Sequence, residues 1–300
     1  MTTLRALERV LVADDFTDGA AAALARAASL PLGADAELHV VHVLNSVLSD
    51  AARDRAVPDA HARLKERARA AAQAHRPAGR ELPVTTHVAQ GQAFVEIIRQ
   101  ARTVRADLVV IGRHRPRRIR DALLGSTAER VVRKGDTPVL LVARPPTGAY
   151  RNVLAAVDLG DTSLRVVELA TSLVKEDASM MLVHAYEVPF ESTLERSVGA
   201  AGMEDIRRAR REALADAGTR LRQALKPLGR EFELVLRRGE PRMVVIREAL
   251  RKRADLVVLG THARSGIAHA LLGSVAEWLV RGAPCDIAIT RPARFSFELP

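Results

Sequence analysis

"RADLVVIGRHRPRRIRDALLGSTAERVVR", from Arg105 to Arg133, returns as "RADLVVLGTHARSGIAHALLGSVAEWLVR", from Arg253 to Arg281. At a shift of 148, 18 of these 29 positions are identical. The likeness extends outward from there. "VLVADD" (Val10–Asp15) lies on "VLAAVD" (Val153–Asp158), and "LHVVHV" (Leu38–Val43) answers "MLVHA" (Met181–Ala185). "QGQAFVEIIRQA" (Gln90–Ala101) answers "RGEPRMVVIREA" (Arg238–Ala249). The 300 residues are one unit used twice, and the repeat is far too long for a solenoid. The expected domains are residues 1–145 and 150–292, joined near the Pro/Gly stretch "RPPTGAYR" (Arg144–Arg151).

Each copy alternates short apolar runs with helical segments. The runs are Val10–Ala13, Leu38–Leu44, Val84–Ala89, Leu108–Ile111 and Val139–Ala143 in the first copy. In the second they are Val153–Val157, Ser179–Ala185, Phe232–Leu236, Leu256–Leu259 and Ile287–Thr290. Unbroken Val/Ile/Leu runs suit parallel strands buried on both faces. Residues 18–30 and 162–175 read as first helices, and 50–76 and 196–226 as longer, charged ones. The pattern predicts an α/β class: two doubly wound domains, each with a five-stranded parallel sheet.

Composition narrows the function classes. One cysteine, Cys285, leaves no internal disulfide and no cysteine-based metal cluster. The opening "MTTLRALERVLVADD" lacks a signal-peptide core, and no uncharged apolar run reaches the length of a membrane span. A soluble, cytoplasmic protein is expected. The net charge of +10 divides as +7 over residues 1–149 and +3 over 150–300. Such a surface favours anionic partners, among them nucleotides, RNA and phospholipid. Aromatics at 3% make stacking platforms for single strands sparse, so nucleic acid is the weaker expectation.

In a doubly wound sheet, ligands bind beyond the carboxyl ends of the strands, where the strand order reverses. Three features fall there in each copy. The first is an acid ending the first strand, Asp15 (with Asp14) and Asp158; it can meet a ligand or cap the next turn. The second is a glycine after the fourth strand, Gly112 and Gly260; it can admit a ligand to the backbone or make a tight turn. The third is Gly-Ser opening the last helix, Gly125-Ser126 and Gly273-Ser274, with Glu129 and Glu277 three residues after the serines. That spacing is a capping box, yet a helix N-terminus is also an anion site.

In this order the features resemble the universal stress protein family, over nearly the whole chain and twice. In that family the nucleotide loop reads glycine, two residues, glycine, nine residues, glycine, then serine or threonine. The second copy has Gly260, Ala263 at the second glycine, then Gly273 and Ser274; the first has Gly112, Arg115, Gly125 and Ser126. The resemblance implies an adenine nucleotide alpha hydrolase-like fold and an ATP or ADP site, with any Mg2+ carried by the nucleotide. It places adenine and ribose near Asp158, with Ala156, Val157 and Ala185 lining the base. Leu259, Gly260, Ala263, Gly273, Ser274 and Val275 then follow the sugar and phosphates. In the first copy the same roles fall to Ala13, Asp14, Asp15, Val43, Ile111, Gly112, Arg115, Gly125, Ser126 and Thr127. The resemblance also implies that the copies meet about a pseudo-two-fold through their last strands, with Cys285 near the contact and with further homodimerisation open.

Alanine at 263 adds one methyl, whereas Arg115 is followed by Pro116, which pushes it toward extended backbone. Nucleotide is therefore expected mainly in the second copy. The alternative is an interaction module whose Arg113, Arg115, Arg117, Arg118 and Arg120 bind RNA, a membrane surface or an acidic protein. Catalysis has little support. Neither copy has a dinucleotide fingerprint at its first strand, and no Walker loop or nucleophile elbow is present. A slow ATPase is the most that is expected. His42 and His184 end matching strands and read as structural.

Overall fold

The computed structural model describes residues 6–44, 50–74, 81–113, 126–160, 162–187, 191–261 and 272–291. The first half runs β1 (Leu7–Ala13), α1 (Asp18–Ser29), β2 (Leu32–Leu44), α2 (Asp50–Ala74), β3 (Val84–Gln90), α3 (Ala93–Thr103), β4 (Leu108–Gly112), α4 (Ser126–Lys134) and β5 (Val139–Val142). The second runs β6 (Asn152–Ala156), α5 (Thr162–Ser172), β7 (Ser179–Tyr186), α6 (Glu191–Leu225), β8 (Glu233–Arg238), α7 (Pro241–Arg251), β9 (Leu256–Gly260), α8 (Ser274–Gly282) and β10 (Asp286–Thr290). All ten expected strands form. The expected helix 162–175 stops at Ser172, and 196–226 is part of the longer α6, which kinks at Gly199 with φ 70°.

The two five-stranded sheets are one. The order is β3-β2-β1-β4-β5-β10-β9-β6-β7-β8. Pairing is parallel within each half and antiparallel at the seam, where Leu141 faces Ile287 and Val139 faces Ile289. The last strands thus join the copies, as the resemblance implied. Because the seam is antiparallel, the carboxyl ends of the strands point to opposite ends of the sheet in the two halves.

Period-two alternation sorts the strand side chains into two cores. Val10, Val12, Leu108, Val110, Leu140, Val153, Ala155, Leu256 and Val258 face one layer, with α1, α2, α5 and α6. Leu11, Val109, Ile111, Leu141, Leu154, Val257 and Leu259 face the other, with α3, α4, α7 and α8. Both faces of every central strand are therefore dry, which is why the sequence shows unbroken apolar runs. Among the described residues, no helix is long and apolar enough to cross a membrane.

Candidate nucleotide site

The strand order reverses between β1 and β4 in one half, and between β6 and β9 in the other. At each reversal the chain turns sharply out of the first strand. Phe16 and Leu159 hold left-handed φ values of 64° and 61° at equivalent places, a conformation that bulky side chains rarely adopt. The preceding acids support these turns. Asp15 Oδ1 accepts from the Thr17 N–H at 3.1 Å and the Thr17 hydroxyl at 2.6 Å. Asp158 Oδ1 accepts from the Gly160 N–H at 2.9 Å and the Ser163 hydroxyl at 2.8 Å. One oxygen of each carboxylate is thus spent on local structure.

Beside Asp158 lies a cavity of about 250 Å³, just under the usual size range of ligand pockets. It brings together Ala156, Val157, Asp158, Ala185, Leu259, Gly260, Gly273, Ser274 and Val275, nine of the ten positions expected in the second copy. The tenth, Ala263, lies outside the described residues. Thr162, Tyr186, Glu187, Arg210 and Pro241 also line it. None of these five stood out in the sequence. The signal available for Arg210 was that the interval from Arg67 to Arg210 equals that from Val10 to Val153.

The first half has a cavity of about 350 Å³ at the matching place. Ala13, Asp14, Asp15, Val43, Ile111, Gly112 and Thr127 line it, together with His42. Volume does not separate the two halves. Arg115 and Gly125 lie outside the described residues, and so does the side chain of Ser126.

Chemistry separates them at one position. Asp14 and Val157 occupy equivalent places: each N–H donates at 2.9 Å to the neighbouring strand, at Val41 O and Val183 O respectively. Each carbonyl also faces a histidine Nδ1, from His42 at 2.7 Å and from His184 at 2.8 Å. A carbonyl only accepts, so Nδ1 carries the proton in both rings. The two histidines tie the first strand to the second, which is the structural role expected of them. Asp14, however, is 2% exposed, and its Oδ2 lies 3.0 Å from Arg67 Nε. Its Oδ1 accepts from the Phe16 N–H at 2.7 Å. Val157 offers no such charge.

Three sequence readings change. Gly112 and Gly260 do not have positive φ, and the close approach at each is to the protein itself. A Cβ on Gly112 would stand 2.2 Å from Gly19 O at the start of α1; one on Gly260 would stand 2.8 Å from Thr162 Cγ2. Helix-on-strand packing therefore requires a small residue there, whatever else the site holds. Second, the capping box is not formed at Ser274. Gly273 is the cap residue, with φ −58° and ψ 150°, and Glu277 turns instead to Arg281 at 2.9 Å and Arg133 at 3.2 Å. Ser274 stands exposed in the first turn of α8, at the cavity wall. Third, Arg113 is not part of a solvated basic surface. It is 9% exposed, and its Nη2 donates to Ala283 O in the other half at 2.5 Å. Residues 114–120, which carry the remaining arginines of that run, lie outside the described residues.

Comparison with known proteins agrees with the fold. The model of the universal stress protein family matches residues 6–143 and again 149–291. A universal stress protein of Methanocaldococcus jannaschii is 26% identical over 152 residues, which are 50% of this chain and 87% of that protein. One from Thermus aquaticus is 30% identical over 151 residues, 47% of this chain and 99% of its own length. Among solved structures, a universal stress protein from Archaeoglobus fulgidus superposes with a TM-score of 0.71 at 18% identity, covering 94% of this chain and 98% of that one. A Pseudomonas aeruginosa protein of unknown function gives 0.64 at 21% identity, covering 97% and 95%. At these identities the superpositions speak for the fold alone, but the family match covers both halves of the chain: it belongs to the universal stress protein family, in a tandem arrangement of two family domains.

Proposed function

We propose that this chain is a stress-response regulatory protein that binds an adenine nucleotide, ATP or ADP, in the cavity of its second half. The observation that carries the reading is the convergence of nine positions, from β6 and the turn after it, β7, β9, and α8 with its cap residue, on one cavity at the strand-order reversal. The wall is apolar where a base would lie, at Ala156, Val157 and Ala185. Where phosphates would lie, it offers Ser274 and the first turn of α8, whose N–H groups favour an anion. Any Mg2+ arrives with the nucleotide.

Calorimetric titration with Mg-ATP tests the reading. Saturable binding is expected, with Gly273→Val abolishing it. The φ of −58° and ψ of 150° at Gly273 suit any residue, and urea unfolding of the variant checks that it folds. Absence of binding up to millimolar nucleotide sinks the reading.

A further inference from the structure

The two halves differ where the long helix after the second strand meets the end of the first strand. In the first half that helix, α2, sends Arg67 to the end of β1. There its Nε meets Asp14 Oδ2 at 3.0 Å and its Nη2 meets Asp14 Oδ1 and Thr17 O, each at 3.3 Å. The guanidinium is thus neutralised by an acid whose side chain is wholly buried. In the second half, α6 brings Arg210 to the equivalent cavity, and the place of the acid is taken by Val157. Arg210 forms no ion pair among the described residues, and its Nε is shielded from solvent with no hydrogen-bond partner among them. The carboxylates in the same cavity do not serve it. Asp158 Oδ1 is committed to Gly160 and Ser163, Glu187 is exposed, and neither is paired with Arg210 among the described residues.

A shielded guanidinium N–H without an acceptor is costly, and guanidinium is the side chain best suited to phosphate oxygens. We infer that Arg210 is the phosphate-recognising residue of the second cavity, and that the first cavity holds its own counter-anion in Asp14, which excludes an anionic ligand there. The inference rests on the nucleotide reading above and deepens it. It assigns the charge on the ligand to a residue of α6, outside the loop and helix start that the family motif covers. It also gives the unequal halves a cause independent of the Arg115 loop.

The test compares Mg-ATP with adenosine, by calorimetry on the full chain. For the wild type both should bind, ATP the more tightly. Arg210→Gln should weaken ATP by roughly 10- to 100-fold, as loss of a charge-assisted hydrogen bond does. Adenosine should be unchanged, and Arg210→Lys should recover part of the loss. Val157→Asp, which imports the acid of the first half into the base wall, should likewise remove ATP binding. Urea unfolding reports whether that variant folds; if it does not, Arg210→Gln decides alone. Equal weakening of ATP and adenosine by Arg210→Gln, or no weakening of either, overturns the inference and leaves the nucleotide reading standing. Failure of the wild type to bind either compound overturns both.

Discussion

The Tyr150 hydroxyl donates to Asp286 Oδ2 at 2.7 Å, tying the linker between the halves to the first residue of β10. Asp286 is 4% exposed and serves three partners: its other oxygen accepts from the Ala143 N–H at 2.7 Å, and Arg26 Nε lies 3.3 Å away. Arg26 in turn covers the Tyr150 ring and donates to Gly148 O at 2.7 Å. The linker is thus tied to side chains of both halves, Arg26 of α1 and Asp286 of β10. Asp286→Ala should cost about 3–5 kcal/mol, because the buried Arg26 charge loses its counter-charge. Tyr150→Phe should cost about 1.5–3 kcal/mol, the worth of a hydrogen bond to a charged group. Urea unfolding measures both; a loss below about 1 kcal/mol for Asp286→Ala contradicts the arrangement.

The same pair predicts an alkaline limit. Burial, followed by the negative charge of Asp286, pushes the Tyr150 hydroxyl well above its ordinary 10.0. Above that pH the unfolded chain releases this proton while the folded chain keeps it. The unfolded state is then favoured as pH rises. The contribution of Tyr150 is whole below about pH 10 and declines above it. Stability measured by urea at increasing alkaline pH should fall less steeply for Tyr150→Phe than for the wild type. Parallel slopes would rule this out.

Gly112 and Gly260 provide a contrast between backbone and side-chain obstruction. An added methyl at 112 meets the carbonyl of Gly19, which moves only if α1 moves. At 260 it meets a threonine methyl, which a small rotation relieves. Gly112→Ala should therefore destabilise by about 1–3 kcal/mol or more, as overpacking does, and Gly260→Ala by less. Thermal melts of the two variants settle the order, and a larger loss at 260 is the contrary result.

Cys285 is expected to be inert. It is buried against the seam, and burial, with the nearby Asp286 charge, pushes its thiol up to about 12. Thiolate is the reactive form. Alkylation by iodoacetamide at neutral pH should be negligible in the native protein and rapid in denaturant. Fast native labelling would show that the seam opens.

The sequence made the strands legible because each is dry on both faces. Val10–Ala13 and Leu108–Ile111 carry apolar side chains to two helical layers, so no polar residue interrupts them. The repeat made the site legible, since Asp158, Gly260, Gly273 and Ser274 recur at fixed intervals from β6, β9 and α8. What stayed hidden depends on partners distant in the chain. Gly112 is small because Gly19 lies against it. Arg113 sits in a run of arginines, yet it is buried by a carbonyl 170 residues away. Asp286 takes the place of Pro138 in the repeat, and nothing local marks it as the anchor of the linker. Arg67 and Arg210 look alike on two charged helices; only the fold reveals that one has its acid and the other does not.

In a symmetric pair of identical subunits, any change at one pocket is copied into the other. The antiparallel meeting of β5 and β10 builds the same pairing from a single chain, so its two ends are free to diverge. Asp14 and Val157 are that freedom used: one molecule carries two versions of one pocket, always in equal amounts and facing away from each other.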